Sequence, residues 1–136
     1  MASVLVVDDE PDIRTLVRVS LGFDGYDVRE AASGSEALAL VAETRPDVLL
    51  LDLMMPEISG WDVLASLKAD ADEAIRTIPV VLLTALGGPL DRVRGGIEGA
   101  VRHLAKPVGP DDLRDAVETA LATPEADQRR HVQRAA

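Results

Sequence analysis

The sequence predicts a doubly wound α/β fold, a (βα)5 chain whose five strands form one parallel sheet. Three observations predict it. Short apolar runs recur at residues 4–7, 26–31, 48–51, 80–83 and 101–105. Segments of helical spacing lie between and after them, such as Ile13, Leu16, Val17 and Leu21, or Leu113, Val117, Ala120 and Leu121. The runs are apolar on both faces, which a strand needs when helices cover both sides of its sheet.

Each helix carries a start signal or a stripe. Pro11 and Pro110 suit first-turn positions, where the missing N–H is harmless. Ser33 with Glu36, and Ser59 with Asp62, read as capping boxes. The helix before the fifth strand is the weakest. Leu90, Val93 and Ile97 are correctly spaced, but Gly95 and Gly96 interrupt them. Each glycine costs about 1 kcal/mol relative to alanine, so that helix is expected to be short, frayed or mobile. Thr123-Pro124 ends the fold. The folded domain is therefore expected over residues 1–122. Residues 123–136 form a polar tail with Arg129, Arg130 and Arg134, read as a linker, a helical extension or a disordered end.

Composition narrows the function classes. The 136 residues suit one domain, and 47% apolar content is enough for a core. Aromatic residues are only 2%, so that core must be built from Val, Leu, Ile and Ala. A net charge of −10 argues against nucleic-acid binding by this chain, which would need a basic face. The lack of cysteine excludes disulfides, thiol catalysis and Cys-ligated zinc. No signal peptide is readable, and no apolar stretch approaches the roughly 18 residues of a membrane span. The expectation is a cytoplasmic protein with no membrane partner.

In a doubly wound sheet, ligands bind beyond the carboxyl ends of the strands. Strand one ends at Asp8-Asp9, strand three at Asp52, strand four at Thr84 and strand five at Lys106-Pro107. Three carboxylates, a hydroxyl and an ammonium thus share one rim. Clustered carboxylates repel and need a cation, and oxygen donors select a hard one such as Mg²⁺. A phosphoryl group beside Asp52 would offer oxygens to the metal, to Lys106 and to the Thr84 hydroxyl. Phosphoryl transfer depends mainly on such positioning and charge stabilisation, and a carboxylate nucleophile yields an acyl phosphate.

The motifs Val6-Val7-Asp8-Asp9-Glu10, Leu51-Asp52-Leu53-Met54-Met55-Pro56, Leu83-Thr84-Ala85 and Lys106-Pro107 resemble the receiver domain of two-component response regulators. Gly60 and Gly99-Ala100 fit the same pattern, and the resemblance runs from about residue 4 to 121. It implies a flavodoxin-like strand order 2-1-3-4-5. It also implies Asp52 as phosphoacceptor, supplied by a sensor histidine kinase or a phosphotransfer protein. Asp9, Asp52 and the Met54 backbone carbonyl would bind Mg²⁺, with Asp8 acting through a metal-bound water. Thr84 and Lys106 would follow the phosphoryl group. The Lys106-Pro107 bond is expected to be cis. The signal would leave through the last helix–strand–helix unit, roughly residues 90–121, toward a downstream target or output domain. On this reading the chain is a phosphoacceptor switch rather than a classical enzyme.

The chain departs from the family pattern in three respects. His103 stands where Tyr or Phe usually acts as a rotating switch. It reads either as a tolerated planar side chain or as a switch sensitive to imidazole charge. The stretch Asp91-Arg92-Val93-Arg94-Gly95 resembles the subfamily with winged-helix outputs, which dimerises through charged pairs. Val101, Arg102 and Ala116 replace members of those pairs, so the usual dimer face is incomplete, while a homodimer through another interface stays open. Met54 and Leu86 flank the expected path of the hydrolytic water and cannot polarise it, which implies slow self-dephosphorylation.

Three other readings compete. The rim acids could be helix N-caps alone, but three of them beside Thr84 and Lys106 speak against that. An Asp-nucleophile phosphatase of the haloacid-dehalogenase type would need a second Asp where Met54 stands. The remaining alternative is a receiver-like interaction domain that works without phosphorylation. Trp61, the single tryptophan, opens the third helix near the acids and is expected to report on the site by fluorescence.

Overall fold

The computed structural model describes residues 2–84 and 99–122 of the chain. Five parallel strands form one sheet in the order β2-β1-β3-β4-β5. They are β1 (Ser3–Val7), β2 (Asp27–Ala31), β3 (Val48–Asp52), β4 (Val80–Thr84) and β5 (Arg102–Ala105). The helices described are α1 (Pro11–Phe23), α2 (Gly34–Glu43), α3 (Gly60–Lys68), a short α4 (Glu73–Arg76) between α3 and β4, and α5 (Pro110–Ala122). The strand order is the one expected, and it is a flavodoxin-like order with its switch between β1 and β3.

Alternation along the central strands builds two cores. Leu5, Val7, Leu49, Leu51, Val80 and Leu82 face α2 and α3, where they meet Ala37, Val41, Val63, Leu64 and Leu67. Val4, Val6, Val48, Leu50, Val81 and Leu83 point to the other side, against Val17 and Leu21 of α1 and Leu113 and Val117 of α5. Successive strand side chains alternate faces, so both faces must be apolar when both are covered. Every residue of β3 and β4 is buried. The edge strand β2 is half-buried over most of its length.

The end signals open their helices, but of the two expected capping boxes only the one at Ser59 closes, because Glu36 makes no return bond to Ser33. Pro11 opens α1. The Ser33 hydroxyl accepts the Glu36 N–H at the start of α2. At Ser59 both halves of the capping box form with Asp62. The first strand-like residue expected for β2, Tyr26, instead completes the end of α1. Its N–H donates to the Leu21 carbonyl, while Gly25, at φ 89°, donates to Gly22. That is a Schellman ending, which needs a left-handed residue that glycine supplies without penalty.

β3 and β4 each run one residue further than their apolar runs, so Asp52 and Thr84 are the last residues of their strands. β5 begins at Arg102, one residue later than expected, although the Val101 N–H already donates to the Val80 carbonyl. The four-residue α4 carries no periodic stripe long enough to predict it. Asp72 caps it by accepting the Ala74 N–H. The helix expected around Leu90, Val93 and Ile97, with Gly95 and Gly96, lies outside the described residues, as do Leu86 and the tail 123–136.

Candidate functional site

The sheet brings β1 and β3 side by side, with Val7 in register with Leu51. Asp8 and Asp52 therefore leave the sheet next to each other. Asp8 is fully buried and Asp52 is 2% exposed. Burying carboxylates at this depth is costly unless they are hydrogen-bonded and paired.

The main chain around Asp8 is held on several sides. Its N–H donates to the Ala31 carbonyl at 3.1 Å. Its Oδ1 accepts the Glu10 N–H at 2.9 Å, which turns the chain sharply into α1. Its carbonyl accepts Nη1 of Arg14 at 2.8 Å. Arg14 in turn pairs through Nε with Glu30 Oε1 at 3.2 Å, and Arg18 pairs with the other Glu30 oxygen at 3.1 Å.

Asp52 is set by the turn that follows it. The Met54 N–H donates to Asp52 Oδ1 at 3.2 Å. The Leu53 N–H donates to the Leu83 carbonyl, and the Gly60 N–H to the Leu53 carbonyl, so the turn is fastened to β4 and to α3. A Cβ on Gly60 would meet the Asp52 carbonyl oxygen at 2.2 Å and Leu53 Cα at 2.7 Å. Only glycine permits that approach. Between these points the Ile58 N–H donates to the Pro56 carbonyl around Glu57, whose φ is 68°.

Lys106 follows β5, and its N–H donates to the Thr84 carbonyl at 2.8 Å. The Lys106-Pro107 peptide is cis, as the resemblance implied. Its ammonium lies 2.7 Å from Asp8 Oδ2, 3.5 Å from Asp52 Oδ1 and 3.6 Å from Glu10 Oε1. One cation thus bridges the ends of the first and third strands from the end of the fifth. Thr84 is fully buried at the end of β4, on the same rim.

Charge and burial oppose each other here. Burial pushes the Asp52 carboxyl up to about 6, and the neighbouring Asp8 adds to the rise. Lys106 and the Met54 N–H pull it back, and Asp9 raises it further. For Lys106, burial pulls the ammonium down. Its hydrogen bond to Asp8 and the charges of Asp52, Asp8 and Glu10 more than offset this, so it titrates above its ordinary value.

Carboxylate oxygens of Asp8, Asp9 and Glu10 lie within 4.8 Å of one another, close enough to share one metal ion. All are oxygen donors, and two are exposed toward the outside. The set fits a hard divalent cation that keeps some of its waters. Asp52 adjoins this cluster through Lys106.

All five rim residues read from the sequence, Asp8, Asp9, Asp52, Thr84 and Lys106, are brought to one edge. Two participants were given no role by the sequence. Glu10 was part of the acidic motif, and the close approach of its carboxylate to Lys106 comes from the tight turn at Asp8. Arg14 falls at a polar position between Ile13 and Leu16 in the α1 stripe, where an arginine is ordinary, so nothing in the sequence signals its contacts. His103 lies half-buried on β5, in register with Leu82. Trp61 packs partly buried against the α2–α3 core. Among the described residues no helix is long and apolar enough to cross a membrane.

Comparison with known proteins matches this arrangement. The family model for the response regulator receiver domain covers residues 4–118. The chain is 39% identical over 113 residues to the DNA-binding dual master transcriptional regulator RpaA of Synechocystis, spanning 83% of this chain and 46% of that protein. It is 41% identical over 110 residues to the response regulator MprA of a Mycobacterium species, spanning 81% of this chain and 46% of that protein. It thus spans about half the length of these curated relatives. Among solved structures, the chemotaxis protein CheY4 of Vibrio cholerae superposes with a TM-score of 0.83 at 34% identity, covering 89% of this chain and 99% of that one. The receiver domain of NtrX from Brucella abortus gives 0.80 at 32% identity, covering 89% and 99%. The chain belongs to the response regulator receiver domain family, whose standard function is signalling by phosphorylation.

Proposed function

We propose that Asp52 is the phosphoryl acceptor of this receiver domain, and that Asp8, Asp9, Asp52 and the Met54 backbone carbonyl hold Mg²⁺ beside it. The observation that carries this reading is the position of Lys106. Its ammonium is 2.7 Å from Asp8 and 3.5 Å from Asp52, at the carboxyl ends of adjacent buried strands.

In the transfer, an Asp52 carboxylate oxygen attacks the phosphorus of a phosphohistidine on a sensor kinase or phosphotransfer protein. The O–P bond forms as the N–P bond breaks, and the imidazole nitrogen leaves with the electron pair and takes a proton. Mg²⁺, when bound, would neutralise charge on the phosphoryl oxygens and keep Asp52 ionised. Lys106 pairs with a phosphoryl oxygen, and the Thr84 hydroxyl donates to another. The Lys106 N–H is bonded to the Thr84 carbonyl, so the ends of β4 and β5 are joined at the two residues whose side chains would grip the phosphoryl group. Their movement would reach β5 and the segment before it, and so a downstream target or output domain. Glu10 offers a further carboxylate at the mouth of the site. The chain would act as a switch in the cytoplasm and not as a turnover enzyme.

The test is phosphotransfer from candidate kinases, or from acetyl phosphate, with Asp52→Asn as control. Wild type should gain the mass of one phosphoryl group in Mg²⁺, and Asp52→Asn should not. No labelling of wild type under any donor would sink the reading and leave an interaction domain that works without phosphate.

A further inference from the structure

The geometry points to Arg14 as a positioning residue for the metal-binding acids, a role that rests on the site reading above. Arg14 sits in the first turn of α1, yet its side chain is only 17% exposed. Its guanidinium makes two bonds in different directions. Nη1 donates to the Asp8 carbonyl at 2.8 Å, and Nε donates to Glu30 at 3.2 Å. Glu30 is fixed by Arg18 and by its place on β2, in register with Val6.

The acceptor matters more than the ion pair. The register of β1 with both neighbours ends at Val7. The Asp8 carbonyl lies beyond that ladder, and Arg14 supplies its partner. The Asp8 N–H and Oδ1 are already engaged by Ala31 and Glu10. Holding the carbonyl as well fixes the plane of the Asp8–Asp9 peptide. That plane is rigid, so it sets where the Asp9 backbone starts and which way its carboxylate leaves. A guanidinium suits the task because its planar fork holds two acceptors at a fixed spacing. An ion pair serving stability alone would not need the second bond to the Asp8 carbonyl.

Mg²⁺ titration by calorimetry on the whole chain tests this, beside thermal unfolding in chelator and amide exchange at Asp9 and Glu10 in metal-free protein. Arg14→Ala should weaken Mg²⁺ binding about tenfold, the usual effect of losing a group that orients a ligand. Amide exchange at Asp9 should quicken without metal. The acetyl-phosphate rate should fall at low Mg²⁺ and recover at saturation. Arg14→Lys, with one donor left for the Asp8 carbonyl, should recover part of the affinity. Arg18→Ala, which touches Glu30 and not Asp8, should stay within about twofold of wild type, as a half-exposed ion pair predicts.

If Arg14→Ala lowers the melting temperature but binds Mg²⁺ as wild type does, the positioning role is wrong. Should that variant not fold, Arg14→Met, which keeps most of the stem and no donor for the Asp8 carbonyl, decides, and wild-type affinity in it overturns the proposal. A wild-type chain that neither binds Mg²⁺ nor accepts phosphate would instead overturn the site reading, which is a separate outcome.

Discussion

Lys106 sits closer to Asp8 than to Asp52, at 2.7 Å against 3.5 Å. The buried acid of the first strand, and not the proposed acceptor, is therefore its main partner. Lys106 thus sets a positive charge against the same acids that would hold a divalent cation. Lys106→Met should bind Mg²⁺ about tenfold more tightly, because a unit charge a few ångströms away is removed. The same variant should lose about 3 kcal/mol of metal-free stability, since it leaves Asp8 buried and unpaired. Calorimetry and chemical denaturation in chelator read the two effects. A variant with unchanged metal affinity and reduced stability would show that Lys106 does not compete with the cation.

Asp52 gives a pH-dependent prediction. Its folded value of about 6 lies above its ordinary 3.8. Between those values the folded chain keeps a proton that the unfolded chain has released. Metal-free stability from this group is therefore complete below about pH 4 and is lost as pH rises through about 6. Asp52→Asn escapes the loss and should be more stable than wild type by about 1 to 3 kcal/mol near neutral pH. The gain should vanish near pH 4. Thermal unfolding in chelator across that range measures it, and an equal gain at both ends would refute the linkage.

Gly60 joins the start of α3 to the end of β3. Its N–H bonds to the Leu53 carbonyl, and a Cβ there would strike the Asp52 main chain. Gly60→Ala must move backbone, so it should cost about 3 kcal/mol and displace Asp52. Denaturation gives the first quantity, and the acetyl-phosphate rate at saturating Mg²⁺ gives the second. Wild-type values for both would mean that α3 can shift freely.

His103 offers a comparison with the aromatic residue usual in the family. If imidazole charge controls it, phosphorylation kinetics and output should change between about pH 5.5 and 8, the range in which histidine side chains in general change charge. His103→Tyr should flatten that profile. Matching profiles for the two proteins would leave His103 as a planar side chain on β5 with no switching role.

Much of this protein was legible from local pattern. The runs that became β1, β3 and β4 are apolar on both faces, which a two-sided parallel sheet requires. Ser33, Ser59, Pro11 and Pro110 announced helix starts because capping is settled within one turn of chain. Parallel strands all end at one edge, so Asp8, Asp9, Asp52, Thr84 and Lys106 could be assigned to one rim before any distance was known. The short α4 was not legible, because four residues around Asp72 carry no periodic stripe. Tyr26 looked like strand, because the bond from its N–H back to Leu21 depends on Gly25 turning left-handed.

The sequence by itself determined the layer order, the edge that carries the chemistry and the residue types gathered there. Those follow from spacing and from the apolar demand of buried strands. Only the tertiary structure decided how the charges divide. That Lys106 favours Asp8, that Asp52 is driven up to about 6, and that Arg14 reaches the Asp8 carbonyl all depend on burial and on side chains meeting across elements. Such contacts join residues far apart in the chain, such as Lys106 with Asp8 and Arg14 with Glu30, and no local pattern encodes their distances.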